Sequence, residues 1–351
     1  MKVAVLLSGG VDSSVGLRLL REQGHDITAF YLKIWLEDEL TSLGECPWEE
    51  DLQYARGVCQ QTGVPLQILP FQREYWDTIV SYSIRELKAG RTPNSDMFCN
   101  RLIKFGLFVD KIGSEFDKVA SGHYARIEKN NGNFILKRSP DPVKDQTYFL
   151  AYMQQHQLTR TIFPLGNYTK KEVRKLAHDF DLPNKNRKDS QGICFLGQIR
   201  YTDFVKYHLG EKPGQFIDIE TGDIVGYHKG YWFYTIGQRQ GLGLSGGPWY
   251  VLRKDTDNNL LYLSRNREIR DDLNRTFKVG EFNWISGEKP EKQRLQVKVR
   301  HGEQIINCRL HFKNNSIGEV ILEHPDQGLA PGQFAVFYDG DICLGGGIIR
   351  D

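Results

Sequence analysis

Short apolar runs alternate with amphipathic stretches along the first third of the chain. Val3–Leu7, Asp26–Ile34, Pro65–Phe71 and Lys118–His123 read as strands. Helical spacing separates them: Ser13–Gln23 closed by Gly24, Glu49–Thr62 closed by Gly63, Arg73–Lys88, and Asn100–Gly113 with Ile103, Leu107 and Ile112 on or near one face. This β–α repetition predicts an α/β domain built on a doubly wound, mostly parallel sheet. Ligands of such sheets sit beyond the carboxyl ends of the strands. Further on, Arg126–Lys137 reads as a hairpin around Asn130-Asn131-Gly132. Thr169–Phe180 reads as a helix whose Thr169 and Glu172 form a capping box, and Tyr201–Leu209 as a short helix stopped by Gly210.

The texture changes after Lys212-Pro213-Gly214. Glycines become dense, with β-prone pieces such as Tyr231–Ile236 between them. From Gly280 onward alternating strands recur at Leu295–Arg300, Ile305–Phe312, Ser316–Leu322, Gln333–Tyr338 and Ile342–Ile349. Three domains are expected: 1–212, α/β and Rossmann-like; 213–279, small and β-rich; and 280–351, an antiparallel β-barrel.

Composition changes this picture little. Of 351 residues, 40% are hydrophobic and 26% charged, as in a soluble globular protein. No apolar run is long enough for a membrane span, no targeting segment is visible, and the six cysteines are too scattered for a disulfide scaffold. A cytoplasmic setting is expected. Charge distribution is more telling than the net +2. Ser121–Lys212 holds 16 Lys or Arg against 9 Asp or Glu, while Glu281–Asp351 holds 8 against 10. A basic middle segment suits a polyanion, although a solvated basic surface gives the same count.

The chemistry begins where the first strand ends. Leu6-Leu7-Ser8-Gly9-Gly10-Val11-Asp12-Ser13 runs from strand through a glycine turn into a helix. Unpaired N–H groups at a helix start, glycines that admit close approach, and serine hydroxyls make an anion site. Asp12 is placed to hold Mg2+ against phosphate oxygens. A Walker A loop would need Lys and Ser/Thr after its second Gly, and a dinucleotide fingerprint G-x-G-x-x-G; neither is present. Ser8–Ser13 instead resembles the PP-loop of ATP pyrophosphatases, which cleave ATP to AMP and pyrophosphate.

Two cysteines stand in unusual contexts. Cys99 follows Pro93-Asn94-Ser95-Asp96-Met97-Phe98 at a predicted loop-to-helix boundary, where a helix N-terminus favours thiolate. Cys194 lies in Asp189-Ser190-Gln191-Gly192-Ile193-Cys194-Phe195-Leu196-Gly197, after Lys185, Arg187 and Lys188. A small buried hydrophobe is the other reading of either. Cys46, Cys59, Cys308 and Cys343 read as structural.

These stretches, with Ser121-Gly122-His123-Tyr124-Ala125-Arg126, Lys144–Leu150, Thr235–Arg239 and Ala330–Gln333, resemble the tRNA-specific 2-thiouridylase family along nearly the whole chain. The resemblance implies ATP-dependent adenylation of the C2 oxygen of the wobble uridine in tRNAs for Glu, Gln and Lys. Sulfur then arrives from a cysteine persulfide loaded by a sulfur-relay protein or a cysteine desulfurase. It implies Cys194 as persulfide carrier, Cys99 as the cysteine that closes a transient disulfide with it, and Asp96 as general acid/base. It implies ATP contacts from Leu6, Leu7, Ser8, Gly9, Gly10, Val11, Asp12, Ser13, Leu32 and Gly122. Asn94, Ser95 and Asp96 would meet the target base, and His123, Lys144, Asp145, Gln146, Arg300, His301 and Gln333 the tRNA. Ser95 stands where the family has proline and Gln191 where it has threonine. Two other readings fit the Ser8–Ser13 loop: a synthetase that adenylates a metabolite for nitrogen transfer, and a tRNA-binding protein with a dead nucleotide site.

Overall fold

The structure, a computed structural model, describes residues 1–35, 48–189 and 199–350 except positions 267, 270, 272, 273, 315 and 327. Cys194 and Gln191, together with Cys46, lie outside the described residues.

The first sheet contains β1 (Lys2–Leu6), β2 (Asp26–Lys33), β3 (Leu66–Pro70), β4 (Lys118–Ala120) and β7 (Thr161–Ile162). All neighbours are parallel, in the order β3-β2-β1-β4-β7. Alternate residues of β1 feed two separate cores: Val3 and Val5 pack with Leu17, Leu20 and Val58, while Ala4 and Leu6 pack with Phe30, Phe105 and Phe108. Both faces are therefore covered, as the doubly wound reading requires. The order reverses between β1 and β4, which puts a crevice beyond their carboxyl ends.

Helix boundaries differ from the sequence expectation chiefly around Cys99. The stretch 95–112 is one helical run that starts at Ser95, capped by Asn94, whose Oδ1 accepts from the Met97 N–H at 3.2 Å. Cys99 therefore lies a turn inside the helix, not at its start. There the helix widens into a π-type stretch, Cys99–Leu107. A second such stretch, Trp76–Val80, interrupts the helical run 72–88. The predicted capping box at Thr169 and Glu172 is present.

A central four-stranded sheet follows, of β8 (Gly214–Asp218), β9 (Ile224–His228), β10 (Tyr250–Asp255) and β11 (Leu260–Ser264). Tyr231–Ile236 is not a strand. Tyr231–Phe233 is a 3₁₀ turn, with the Tyr231 hydroxyl donating to the Lys88 carbonyl and the Trp232 indole to that of Gly210, so the rings pack instead of pairing.

The last sheet closes into a six-stranded antiparallel barrel: β12 (Thr276–Trp284), β13 (Arg294–Lys298), β14 (Ile306–Phe312), β15 (Ile317–Leu322), β16 (Phe334–Asp339) and β17 (Ile342–Arg350), with β17 returning to β12. β12 is the strand that the alternation does not announce. The predicted hairpin forms as β5 (Ala125–Asn130) and β6 (Asn133–Arg138), and β6 pairs with β17. The first domain is thus stitched into the barrel sheet. Cys308 and Cys343 are buried in barrel strands and Cys59 in a helix, as core residues.

That seam contains a fully buried ion pair, Lys298 to Asp145 at 2.9 Å, with Arg138 also on the carboxylate at 3.1 Å. Removing one partner of such a pair strands a charge at a cost of about 3–5 kcal/mol. Asp145→Ala is expected to lose that much in denaturant unfolding, and Asp145→Ala with Lys298→Met to recover part of it. A single-variant loss under about 1 kcal/mol would show that water reaches the seam.

Candidate active site

The turn after β1 is built by its own hydroxyls. Ser13 Oγ accepts from the Ser8 N–H at 3.2 Å and donates to the Gly10 carbonyl at 3.0 Å, and Ser14 Oγ donates to the same carbonyl at 3.0 Å. No side chain caps the helix Val11–Glu22, which leaves its N-terminus open to an anion. Gly9 adopts φ +76°, and a Cβ there would sit 2.2 Å from the Asp51 carbonyl oxygen. The turn is further held by the Asn184 amide, which donates to the Gly9 carbonyl at 2.8 Å and to Ser14 Oγ at 2.9 Å. Arg187 also donates to the Gly9 carbonyl, at 3.1 Å, and forms an ion pair with Asp51. Neither Asn184 nor Arg187 was legible as part of this turn. The sequence places them 170 residues or more away with no motif to connect them.

The loop after β4 closes the other side of the crevice. A Cβ on Gly122 would lie 2.8 Å from the Ser13 nitrogen, so glycine permits the two loops to touch. His123 is half-buried, bonded to Ser121 Oγ at 2.7 Å and packed against Phe105 and Phe163. Burial, aided by the charge of Lys104, holds His123 well below its usual pKa, so the ring is neutral. Phe105 belongs to the helical run that carries Cys99, and this contact ties that run to the crevice. Leu32 lies near the carboxyl end of β2, partly buried on the same core.

Asp12 faces a network that the motif alone does not announce. Its Oδ1 accepts from the Tyr124 hydroxyl at 2.8 Å and from Lys170 Nζ at 2.7 Å. Burial and the Asp12 charge push the Tyr124 phenol far above its ordinary pKa, so it stays a donor. Lys170 also reaches Asp189 at 2.8 Å, as do Lys144 at 2.8 Å and Arg174. Burial works against the Asp189 charge, but hydrogen bonds from Lys144 and Lys170 outweigh it and hold the carboxyl well below the usual carboxylate range. Of the three cations that precede Cys194, Lys185 pairs with Asp181 and Arg187 with Asp51.

The Pro93–Asp96 loop is braced by the barrel. Thr92 N–H donates to the Pro331 carbonyl at 2.8 Å, and Gln333 Nε2 to the carbonyls of Thr92 at 3.3 Å and Pro93 at 3.1 Å. Asn94 Nδ2 returns a bond to Gln333 Oε1 at 3.5 Å. Ser95 is buried, and Cys99 is 3% exposed among Met97, Ile103 and Phe105. Asn100, next to Cys99, donates to the Phe149 carbonyl at 3.1 Å, and the His301 ring lies on the Phe149 ring at 4.6 Å.

Besides His123, the residues expected to meet tRNA divide into three groups. His301 is exposed, and the Arg300 guanidinium is partly exposed in an ion pair with Asp326. Lys144, Gln146 and Gln333 hold neighbouring backbone or ion pairs; Gln146 Oε1 accepts from the Tyr124 N–H at 3.0 Å. Asp145 is fully buried, its carboxylate used by Lys298, Arg138 and Thr147, so this side chain stands inside the protein and not on a tRNA-facing surface.

Residues 1–198 match the family model described as tRNA methyl transferase HUP domain. Residues 202–265 match its PRC-barrel domain, and residues 274–349 the aminomethyltransferase beta-barrel domain. A protein of Parabacteroides distasonis described as tRNA-specific 2-thiouridylase MnmA is 44% identical over 100% of this chain and 99% of its own. A Bacteroides thetaiotaomicron protein described as tRNA-specific 2-thiouridylase MnmA 1 and a Porphyromonas gingivalis protein described as tRNA-specific 2-thiouridylase MnmA are 43% and 42% identical, each over 99% of both chains. On this full-length similarity, the chain belongs to the tRNA-specific 2-thiouridylase family.

Proposed function

We propose that the protein converts the wobble uridine of tRNAs for Glu, Gln and Lys to 2-thiouridine. The observation that carries this is the pairing of the open turn at Gly9 with the Cys99 helix across one crevice. ATP phosphates would lie on the turn and the uncapped helix N-terminus. Mg2+ would arrive with the nucleotide and take Asp12 as a protein ligand. Bound there, it would screen the phosphate charge.

The C2 oxygen of the uridine attacks the α-phosphorus and pyrophosphate leaves. The oxygen is then part of an AMP leaving group. The terminal sulfur of a Cys194 persulfide attacks C2 and AMP departs. Cys99 thiolate attacks Cys194 Sγ, forming the Cys99–Cys194 disulfide and releasing the thiocarbonyl; an external thiol reduces the disulfide. A neighbouring acid/base group serves the proton steps, the role proposed for Asp96. Sulfur reaches Cys194 from a relay protein or cysteine desulfurase. A nitrogen-transferring synthetase does not need Cys99, and a scaffold does not need the open turn.

The test is nucleoside mass spectrometry of tRNA transcripts for Glu, Gln and Lys after incubation with ATP, Mg2+ and a persulfide source. 2-Thiouridine at the wobble position, absent without ATP, is the expected result. ATP–pyrophosphate exchange driven by a small acid and not by tRNA would overturn the proposal.

A further inference from the structure

The barrel has 8 basic against 10 acidic residues over Glu281–Asp351, yet its positive charge is not spread evenly. On the outer face of β13 and β14, Arg294 and Arg309 are opposed in register. Opposed residues on one face bring Cβ atoms within about 5.5 Å, and like charges there repel. Arg275 joins them from the end of β12, and all three are exposed. The three arginines line a concavity of about 880 Å³. Among the described residues none has an ion-pair partner for its guanidinium; of the two carboxylates on the same concavity, Asp339 pairs with Lys292 at 2.5 Å and Glu323 accepts from the Asn307 amide at 2.7 Å. Three guanidinium groups against two carboxylates leave the concavity net positive, and a bound anion would relieve the repulsion between Arg294 and Arg309.

The position of this face identifies the anion. β13 runs from Arg294 to Lys298 and continues to Arg300 and His301, where His301 stacks on Phe149 beside Asn100 and hence beside Cys99. Six residues span at most about 20 Å, and here the strand ends at Lys298. The arginine face therefore starts within about 20 Å of Arg300 and His301, which the resemblance assigns to the tRNA. We propose that Arg275, Arg294 and Arg309 form a phosphate-backbone site for the stem of the bound tRNA, separate from the residues that meet the base. Guanidinium forks suit phosphate oxygens, and a stem is recognised by backbone and shape, not by sequence.

This rests on the tRNA reading above, and the experiment keeps the two apart. An unmodified transcript of tRNA for Glu is titrated against the wild type and against the R275Q/R294Q/R309Q variant at several salt concentrations. The variant is expected to bind about tenfold or more weakly near 0.1 M salt, and its slope of log K against log salt to fall by about 2, at roughly 0.7–0.9 for each phosphate contact. Thiolation at saturating tRNA stays at the wild-type rate, and R275K/R294K/R309K keeps most of the slope. Wild-type affinity and slope in the glutamine variant would overturn the proposal. So would wild-type tRNA binding combined with weakened sulfur delivery by a protein donor, which would make the face a protein interface. A wild type that binds no tRNA would instead defeat the reading on which the proposal rests.

Discussion

Gly9→Ala is expected to abolish nucleotide binding while leaving the protein folded. Two separate costs meet at this position. Alanine at φ +76° costs on the order of 1 kcal/mol relative to glycine. The larger cost is steric, because the new Cβ would stand 2.2 Å from the Asp51 carbonyl oxygen. Asp51 belongs to the helix Trp48–Thr62 and cannot move alone, so the turn must yield. Gly9 also gives its carbonyl to Asn184 and Arg187, and a shifted turn would lose those bonds and the alignment of Ser8, Gly10 and Ser13. Misaligning two donors to a phosphate, at about 1.5 kcal/mol each, weakens binding by roughly 100-fold. ATP titration by calorimetry should therefore show affinity reduced at least about that much. Gly24→Ala is the control. Gly24 has φ +77° but nothing within 4 Å of the added Cβ, so it bears the backbone cost without the collision. ATP affinity equal to wild type in both variants would remove the turn from the nucleotide site.

The contrast between these glycines shows what a sequence can carry. Ser8–Ser13 is legible because its chemistry is local: a strand, two glycines, hydroxyls and a helix start are consecutive residues. The parallel sheet and the β5–β6 hairpin are legible for the same reason, since period and turn residues encode them. What fixes Gly9 is not local. Asp51 reaches it from one distant segment and Asn184 and Arg187 from another, and only the packed fold brings them there. Gln333 is similar. It resembles a tRNA-contacting residue by motif, yet its amide spans the barrel and the loop at Pro93. The resemblance assigns Asp145 to tRNA contact, but Lys298, 153 residues later, holds its carboxylate in the seam between domains. The helix starts at Ser95, one turn before the boundary expected at Cys99, because its start depends on the Asn94 cap, which the polar residues of Pro93–Asp96 mask.

Replacing Cys99 by alanine is expected to cut 2-thiouridine formation by about 1,000-fold or more, the usual scale for a lost nucleophile. The substitution removes only Sγ from a site 3% exposed, so loss of fold is an inadequate explanation for a loss of that size. The internal comparison is with the other buried thiols. Burial pushes Cys308 and Cys343 up to about 12 and Cys59 up to about 11, which leaves them as thiols at neutral pH. Alanine at those positions is expected to lower stability modestly and to leave the rate per folded molecule unchanged. The fate of the intermediates separates Cys99 from a merely structural residue. If Cys99 acts after sulfur has reached C2, the alanine variant still releases pyrophosphate when tRNA is present, and mass spectrometry should find tRNA trapped as a mixed disulfide on Cys194. A Cys194→Ala variant should release pyrophosphate with no trapped adduct. Near-wild-type thiolation by Cys99→Ala would remove the disulfide step, and adenylation would then have to be coupled to sulfur transfer through Cys194 alone.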